Sequence, residues 1–328
     1  MKKNSTCKLS QLKNVSFIVL LLSFMLLTAC EDSTGCLDGD CGNSDGDIEI
    51  TIDGDTEENV DGDIDSELED ENLAIADGAF DGAWAMRFAI SYTTVLPILE
   101  CKVQMLLSGV AKLQATQDGT SLKFTEEICD MSMDLVEDIY FFVIFTDDVI
   151  AATGTPQRSS EFSALETGAD WLTSPAWDLY GVDGSQMDDP NNDPLPENAD
   201  DPLVIDFDND GKPGLTTPIR GFVGDNSEVY VVMRMMRNMI GTVINENLIT
   251  GKIESSVEMI TLGADPEMFA FDMDLKKHDD PNVNYFEMVK LDNDLSCSDI
   301  FSKKDELFTY VPMDHATPLW TDKCPKEQ

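Results

Sequence analysis

Asp206, Asp208 and Asp210 stand at alternate positions and are followed directly by Gly211. Oxygen-bearing side chains at the first, third and fifth positions of a loop converge on one ion, and glycine at the sixth allows the sharp reversal this needs. The chemistry on offer is coordination of a hard divalent cation, calcium above all. The twelfth position of such a loop ordinarily supplies a bidentate carboxylate, but here it is Thr217, and Pro213 and Gly214 oppose an exiting helix. The spacing predicts a calcium-binding loop that is not an EF-hand, the ion having a structural rather than a catalytic role. An acidic turn between strands is the plain alternative.

Other chemistry is sparse. There are two histidines, His278 and His315, with no His-x-x-x-His pair, no Gly-x-Ser-x-Gly elbow and no phosphate-binding glycine loop. Both histidines are expected at the surface. Carboxylates are too numerous for a glycosidase pair to stand out, so a hydrolase built on them is the alternative to a protein with no catalytic role. Met233, Met235, Met236 and Met239 offer soft thioether ligands for copper, but their clustering fits packing into a β core far better. Cys101, Cys129, Cys297 and Cys324 are an even set, which predicts two disulfides with three possible connectivities. Bonds from the early strands to the C-terminal segment are favoured, because Cys324 otherwise sits on a loose tail. Cys36 and Cys41, five apart, are placed to close a small loop.

The elements that must position these groups read as strands. Trp84 to Tyr92 and Val103 to Ala115 are the first two, and Gln117-Asp118-Gly119 makes a hairpin turn. Ser121 to Cys129 alternates like a half-buried strand. Ile139 to Phe145 and Val149 to Ala152 continue the apolar stretches. Residues 153 to 202 read as long loops, with Trp171 and Trp177 packed in the core or lining a mouth. The proline-rich segment 188–202 is a possible internal boundary. Further on, Ser227 to Met236 and Met239 to Ile244 are expected to pair as a hairpin, and Asn245-Glu246-Asn247 turns into a strand from Leu248. Met268 to Leu275 and Tyr285 to Leu291 complete the set, with a short helix over 298–307 capped by Ser296. The pattern predicts a mainly β body, residues 78–328, as an antiparallel barrel or sandwich with long loops and a short C-terminal helix.

The chain has 328 residues, 64 acidic and 21 basic, for a net charge of -43. That field repels phosphate and excludes nucleic-acid binding, while it attracts divalent cations and basic partners. The charge is unevenly placed: residues 31–77 hold nineteen acids and no lysine or arginine. Asp-Gly-Asp recurs there from Asp38, Asp45, Asp53 and Asp61. Mutual repulsion and flexible glycine predict an extended, disordered acidic tether over residues 30–77, with weak calcium binding as a lesser reading.

Ahead of it, Lys2, Lys3, Lys8 and Lys13 precede an apolar run from Val15 to Leu27, shorter than the roughly 18 residues of a spanning helix. Leu27-Thr28-Ala29-Cys30 resembles the lipobox of bacterial lipoproteins. The resemblance implies that residues 1–29 are a cleaved signal peptide and that Cys30 carries the lipid. Two or more acyl chains give stable membrane anchoring. In the body, the acidic start at Asp206 resembles EF-hand-like, dockerin-like and thrombospondin-type-3-like calcium loops, and departs from the EF-hand at Thr217. Gly82-Ala83-Trp84 resembles the Gly-x-Trp of lipocalin-like and avidin-like barrels. With the lipobox, the acidic spacer and the Asp206 to Gly214 loop, the chain resembles uncharacterised surface lipoproteins of deltaproteobacteria. The expectation is a lipid-anchored protein of the cell envelope, at the outer membrane or cell surface. Its role is binding or structural, with a small-molecule, protein or glycan ligand.

Overall fold

The computed structural model describes residues 72–96, 101–136, 141–221 and 227–316. Residues 1–71, which hold the expected signal peptide and almost all of the expected tether, with Cys30, Cys36 and Cys41, lie outside these residues, as does Cys324. In chain order the strands are β1 (Gly82–Leu96), β2 (Cys101–Asp118), β3 (Ser121–Leu135), β4 (Phe141–Ile144), β5 (Gln157–Phe162), β6 (Asp170–Thr173) and β7 (Ala176–Tyr180). They continue as β8 (Leu215–Gly221), β9 (Ser227–Asn245), β10 (Leu248–Asp265), β11 (Lys276–Lys277) and β12 (Tyr285–Lys290). The α-helices are short: α1 (Asp147–Ala152), α2 (Cys297–Ser302), α3 (Lys304–Leu307) and α4 (Pro312–His315). Among the described residues no helix is long and apolar enough to cross a membrane.

Every strand pairing is antiparallel, and the sheet closes on itself twice. Six long or central strands run β9–β10–β12–β1–β2–β3. At one end of the barrel, β3 at 132–134 pairs β4, which pairs β8, which pairs β9 at 227–231. At the other end, β3 at 121–125 pairs β5, which pairs β6, which pairs β9 at 240–242. Between the two closures β3 and β9 are not joined by a strand ladder. Strand β7 lines β9 there at 233–237, and the link from β4 to β5 carries α1. A barrel with a side window results, and it decides between the two architectures expected from the sequence.

Period-two alternation builds the interior. Trp84, Met86, Phe88, Ile90 and Tyr92 of β1 point inward, and meet Phe124 of β3, Trp171 of β6 and Phe286 of β12. Trp84 donates its indole N–H to the Phe80 carbonyl at 3.0 Å. The Trp171 and Phe286 rings lie 5.4 Å apart, so this end of the barrel is packed with aromatics. The opposite face of β1 is buried too, because Ala83 and Ala85 lie under Ile300 and Phe308 of the C-terminal segment. Glu287 on β12 fastens that segment, accepting from the Thr309 amide and hydroxyl and from the Tyr310 amide at 2.8 Å. Ser296 caps α2 in a reciprocal capping box with Asp299.

Several elements differ from the sequence reading. The segment at 149–152 is helical, because Thr146 accepts the Val149 amide as an N-cap and Asp147 and Asp148 fill the first turn. Three strands, β5 to β7, occupy the region read as loops: β5 pairs β3 and β6, while β6 and β7 pair β9. β9 is one strand of 19 residues rather than a hairpin, since its apparent break at Arg237 and Asn238 is satisfied by side-chain partners. Residues 268–275 make no strand. A 3-10 turn, Glu267–Phe269, buries Phe269 and only Lys276–Lys277 pairs β1. The C-terminal helix is broken into α2 and α3. Pairing also starts before residue 78: Ala74 bridges Glu166 and the Ile75 amide donates to the Leu165 carbonyl. The 188–202 segment is a loop within one compact unit, held by Arg234, which donates to the Pro190 and Asp193 carbonyls.

Candidate functional site

The Asp206 loop is a closed hairpin-like excursion. Its neck is fixed by the Phe207 amide on the Gly214 carbonyl and the Gly214 amide on the Ile205 carbonyl, both at 2.9 Å. Asn209 and Gly211 take left-handed backbone angles, φ 58° and 86°, which turn the chain back on itself. Asp206 accepts the Asp210 amide on Oδ1 at 3.0 Å and the Gly211 amide on Oδ2 at 2.8 Å. The loop leads into β8 and not into a helix, as Pro213 and Gly214 predict.

The geometry brings the three aspartates together: one carboxylate oxygen from each lies within 4.8 Å of the others. Asp208 is 8% exposed, and its Oδ1 has no hydrogen-bond partner. Burial raises the Asp208 carboxyl above its ordinary range and the Asp210 and Asp206 charges add to this, against the backbone amides of Asp208 and Thr216. Thr217 does not join the cluster, because its hydroxyl donates to the Val229 carbonyl at 3.1 Å. Lys212 bonds Glu228 and comes no nearer than 3.9 Å to Asp210 Oδ2.

At the β4–β8 end the barrel interior is not filled. A cavity of about 80 Å3 is walled by Tyr92, Leu107, Met133, Met235, Val257 and further apolar side chains of β8 to β10. It shares Leu107, Met131, Tyr180 and Met235 with a second cavity of about 290 Å3 at the side window, where polar groups enter the wall. Phe207 lines that second cavity, with its ring centroid 5.6 Å from that of Tyr180 in an edge-on contact.

Four charged groups frame the window. Arg237 binds both oxygens of Glu126 at 2.9 Å, and Arg158 Nε binds Glu126 Oε2 at 3.1 Å. Asp178 takes Arg158 at 2.8 Å and Arg237 at 3.3 Å. Glu126 is 1% exposed. Burial alone would push its carboxyl up, but the two guanidinium groups overcome this and hold it below its ordinary value. Desolvation drives the neighbouring Tyr180 phenol well above its usual range. No motif search finds this quartet. Its signal is periodicity: Glu126 shares a strand face with Leu122 and Phe124, Arg158 with Phe162, and Arg237 with Met235 and Met239.

Cys129 on β3 and Cys297 at the start of α2 are bonded, with Cα atoms 4.8 Å apart, a pairing of an early strand with the C-terminal segment. Cys101 lies at the start of β2, and Cys324 falls outside the described residues. His278 is buried rather than at the surface: the Asp280 amide donates to its Nδ1 and its own amide donates to the Ser91 carbonyl. His315 is exposed and stacks on Tyr310 at 5.0 Å. Met235 and Met239 belong to the core. Trp171 is fully buried, whereas Trp177 is 40% exposed at the window.

The fold and these groups define a class: an antiparallel β-barrel with an apolar interior pocket, a charged side window and an acidic loop. Comparison with family models, curated proteins and solved structures finds no match to this chain.

Proposed function

We propose that the protein is a lipid-anchored binding protein of the bacterial cell envelope, which takes a small amphiphile into its barrel. The lipid is carried by Cys30, and the acidic tether holds the barrel away from the membrane surface. The observation that supports ligand binding is the junction of two cavities of opposite character. The inner one accepts an alkyl chain among methionine, leucine and valine side chains. The outer one offers room for a hydrated head group beside Arg158 and Arg237.

The hydrolase reading gains no support at the window. Glu126 is held ionised between two arginines, so it has no proton to give a leaving group.

The experiment is a calorimetric titration with decanoate, using the full chain carrying Cys30→Ser so that no acyl anchor competes. One saturable site is expected, lost on Met235→Trp, which fills the inner cavity. No binding, or equal binding by Met235→Trp, contradicts the reading. For the anchor, labelled palmitate should enter the wild type in cells and not Cys30→Ser, and equal labelling refutes it.

A further inference from the structure

We propose that Asp206, Asp208 and Asp210 bind one calcium-class divalent cation, and that the bound ion holds Phe207 at the mouth of the barrel cavity.

Two independent observations point to the ion. The first is convergence: three carboxylates bring oxygens within 4.8 Å of one another, an unfavourable grouping of like charge that a cation reverses. The second is the buried Asp208 Oδ1, which has no hydrogen-bond donor. A carboxylate oxygen withdrawn from water without a donor is costly, and a metal ion supplies the missing partner. The donor set is oxygen alone, which selects calcium or magnesium over zinc and copper. Lys212 does not fill the role, since its ammonium is taken by Glu228. With Thr217 diverted to the Val229 carbonyl, the set lacks the bidentate acid of a high-affinity loop. Water completes the shell, and the affinity expected is that of extracellular modules, about 10⁻⁴ to 10⁻³ M.

The link to the cavity follows from alternation. Phe207 stands between two of the ligand residues, and its side chain lies on the window cavity against Tyr180. The loop is fastened to the end of β7 next to that tyrosine, because the Ile205 amide donates to the Gly181 carbonyl at 3.1 Å. Gly181 and Gly214 meet so closely that a Cβ on Gly181 would stand 2.7 Å from the Gly214 Cα. An ion that fixes Asp206 and Asp208 therefore fixes Phe207 and the edge of β7 together. The cation site stands on its own geometry; its effect on ligand uptake rests on the amphiphile reading above.

The test uses the full chain with Cys30→Ser, stripped with chelator and titrated with calcium chloride in about 0.15 M salt, which screens the tether acids. The wild type is expected to show one saturable site above the weak background of the tether. Asp208→Asn and the more exposed Asp210→Asn are each expected to weaken it about tenfold or more. Hydrogen exchange is expected to slow at residues 178–182 on adding calcium. Phe207→Ala is expected to keep calcium affinity within about threefold while losing that protection. A wild-type isotherm matching that of both asparagine variants overturns the cation site. Saturable binding without added protection at 178–182 overturns the role of Phe207. Decanoate failing to bind while both calcium results hold would remove the amphiphile reading alone.

Discussion

Phe207 meets Tyr180 edge-on, 5.6 Å between ring centroids, at the point where the acidic loop touches the side window of the barrel. Tyr180 borders both the apolar inner cavity and the polar outer one. This one contact joins the three features that distinguish the protein: the aspartate loop, the window and the unfilled interior. Each can be disturbed separately.

The Glu126 quartet is expected to stabilise the barrel at the gap between its two closures. Glu126→Gln leaves Arg237 and Arg158 short of a buried counter-charge and should cost about 3–5 kcal/mol in urea unfolding. The pH dependence has a definite sign. The folded-state carboxyl lies below its ordinary value of 4.5, so its stabilising contribution is present above that value and is lost as pH falls through the lower folded-state value. The wild type should therefore lose stability on acidification with an increment absent from Glu126→Gln. Identical acid profiles would refute the assignment.

The Cys129–Cys297 bond spans 168 residues of sequence and ties α2 to the barrel wall. Cys129→Ala is expected to lower stability by about 2–4 kcal/mol, chiefly by freeing the unfolded chain. The effect should vanish in reducing buffer, where both forms melt together. A wild type indifferent to reductant would contradict this.

Gly214 has φ 81°, and a Cβ there would stand 2.4 Å from the Val231 carbonyl oxygen. Gly214→Ala is expected to destabilise by about 1–3 kcal/mol or more through backbone strain. It should also displace the loop neck and weaken calcium binding, whereas Gly119→Ala, in an open hairpin turn with nothing near its Cβ, should leave calcium binding unchanged. Equal calcium affinity in the two variants would show that the neck does not position the loop.

The long strands are legible for two reasons: β3 alternates because one face is buried, as Leu122 and Phe124 mark, and β1, buried on both faces, stands out as the largely apolar run from Trp84 to Tyr92. The same alternation placed Glu126, Arg158 and Arg237 on inward faces, but charge at an inward position reads as a break unless its partner is known. Those partners are remote, with Arg237 111 residues from Glu126 and 59 from Asp178. The apparent division of β9 came from this cause. Helix α1 carried a local signal in Thr146-Asp147-Asp148 that its apolar composition hid. Strands β5 to β7 are short, four to six residues each, and they exist because β3 and β9 offer edges to pair with, which is tertiary information. The aspartate loop was read from local spacing alone, and its convergent carboxylates follow from that same local geometry.

The central claim is that the barrel interior is a ligand site. Crystals of the Cys30→Ser chain grown with 10-bromodecanoic acid test it most directly through the anomalous signal of bromine. The account predicts one bromine peak in the inner cavity, between Met235, Met133 and Val257, with the carboxylate toward Arg158 and Arg237. Bromine found only at the outer surface, or an interior closed by its own side chains, would contradict it.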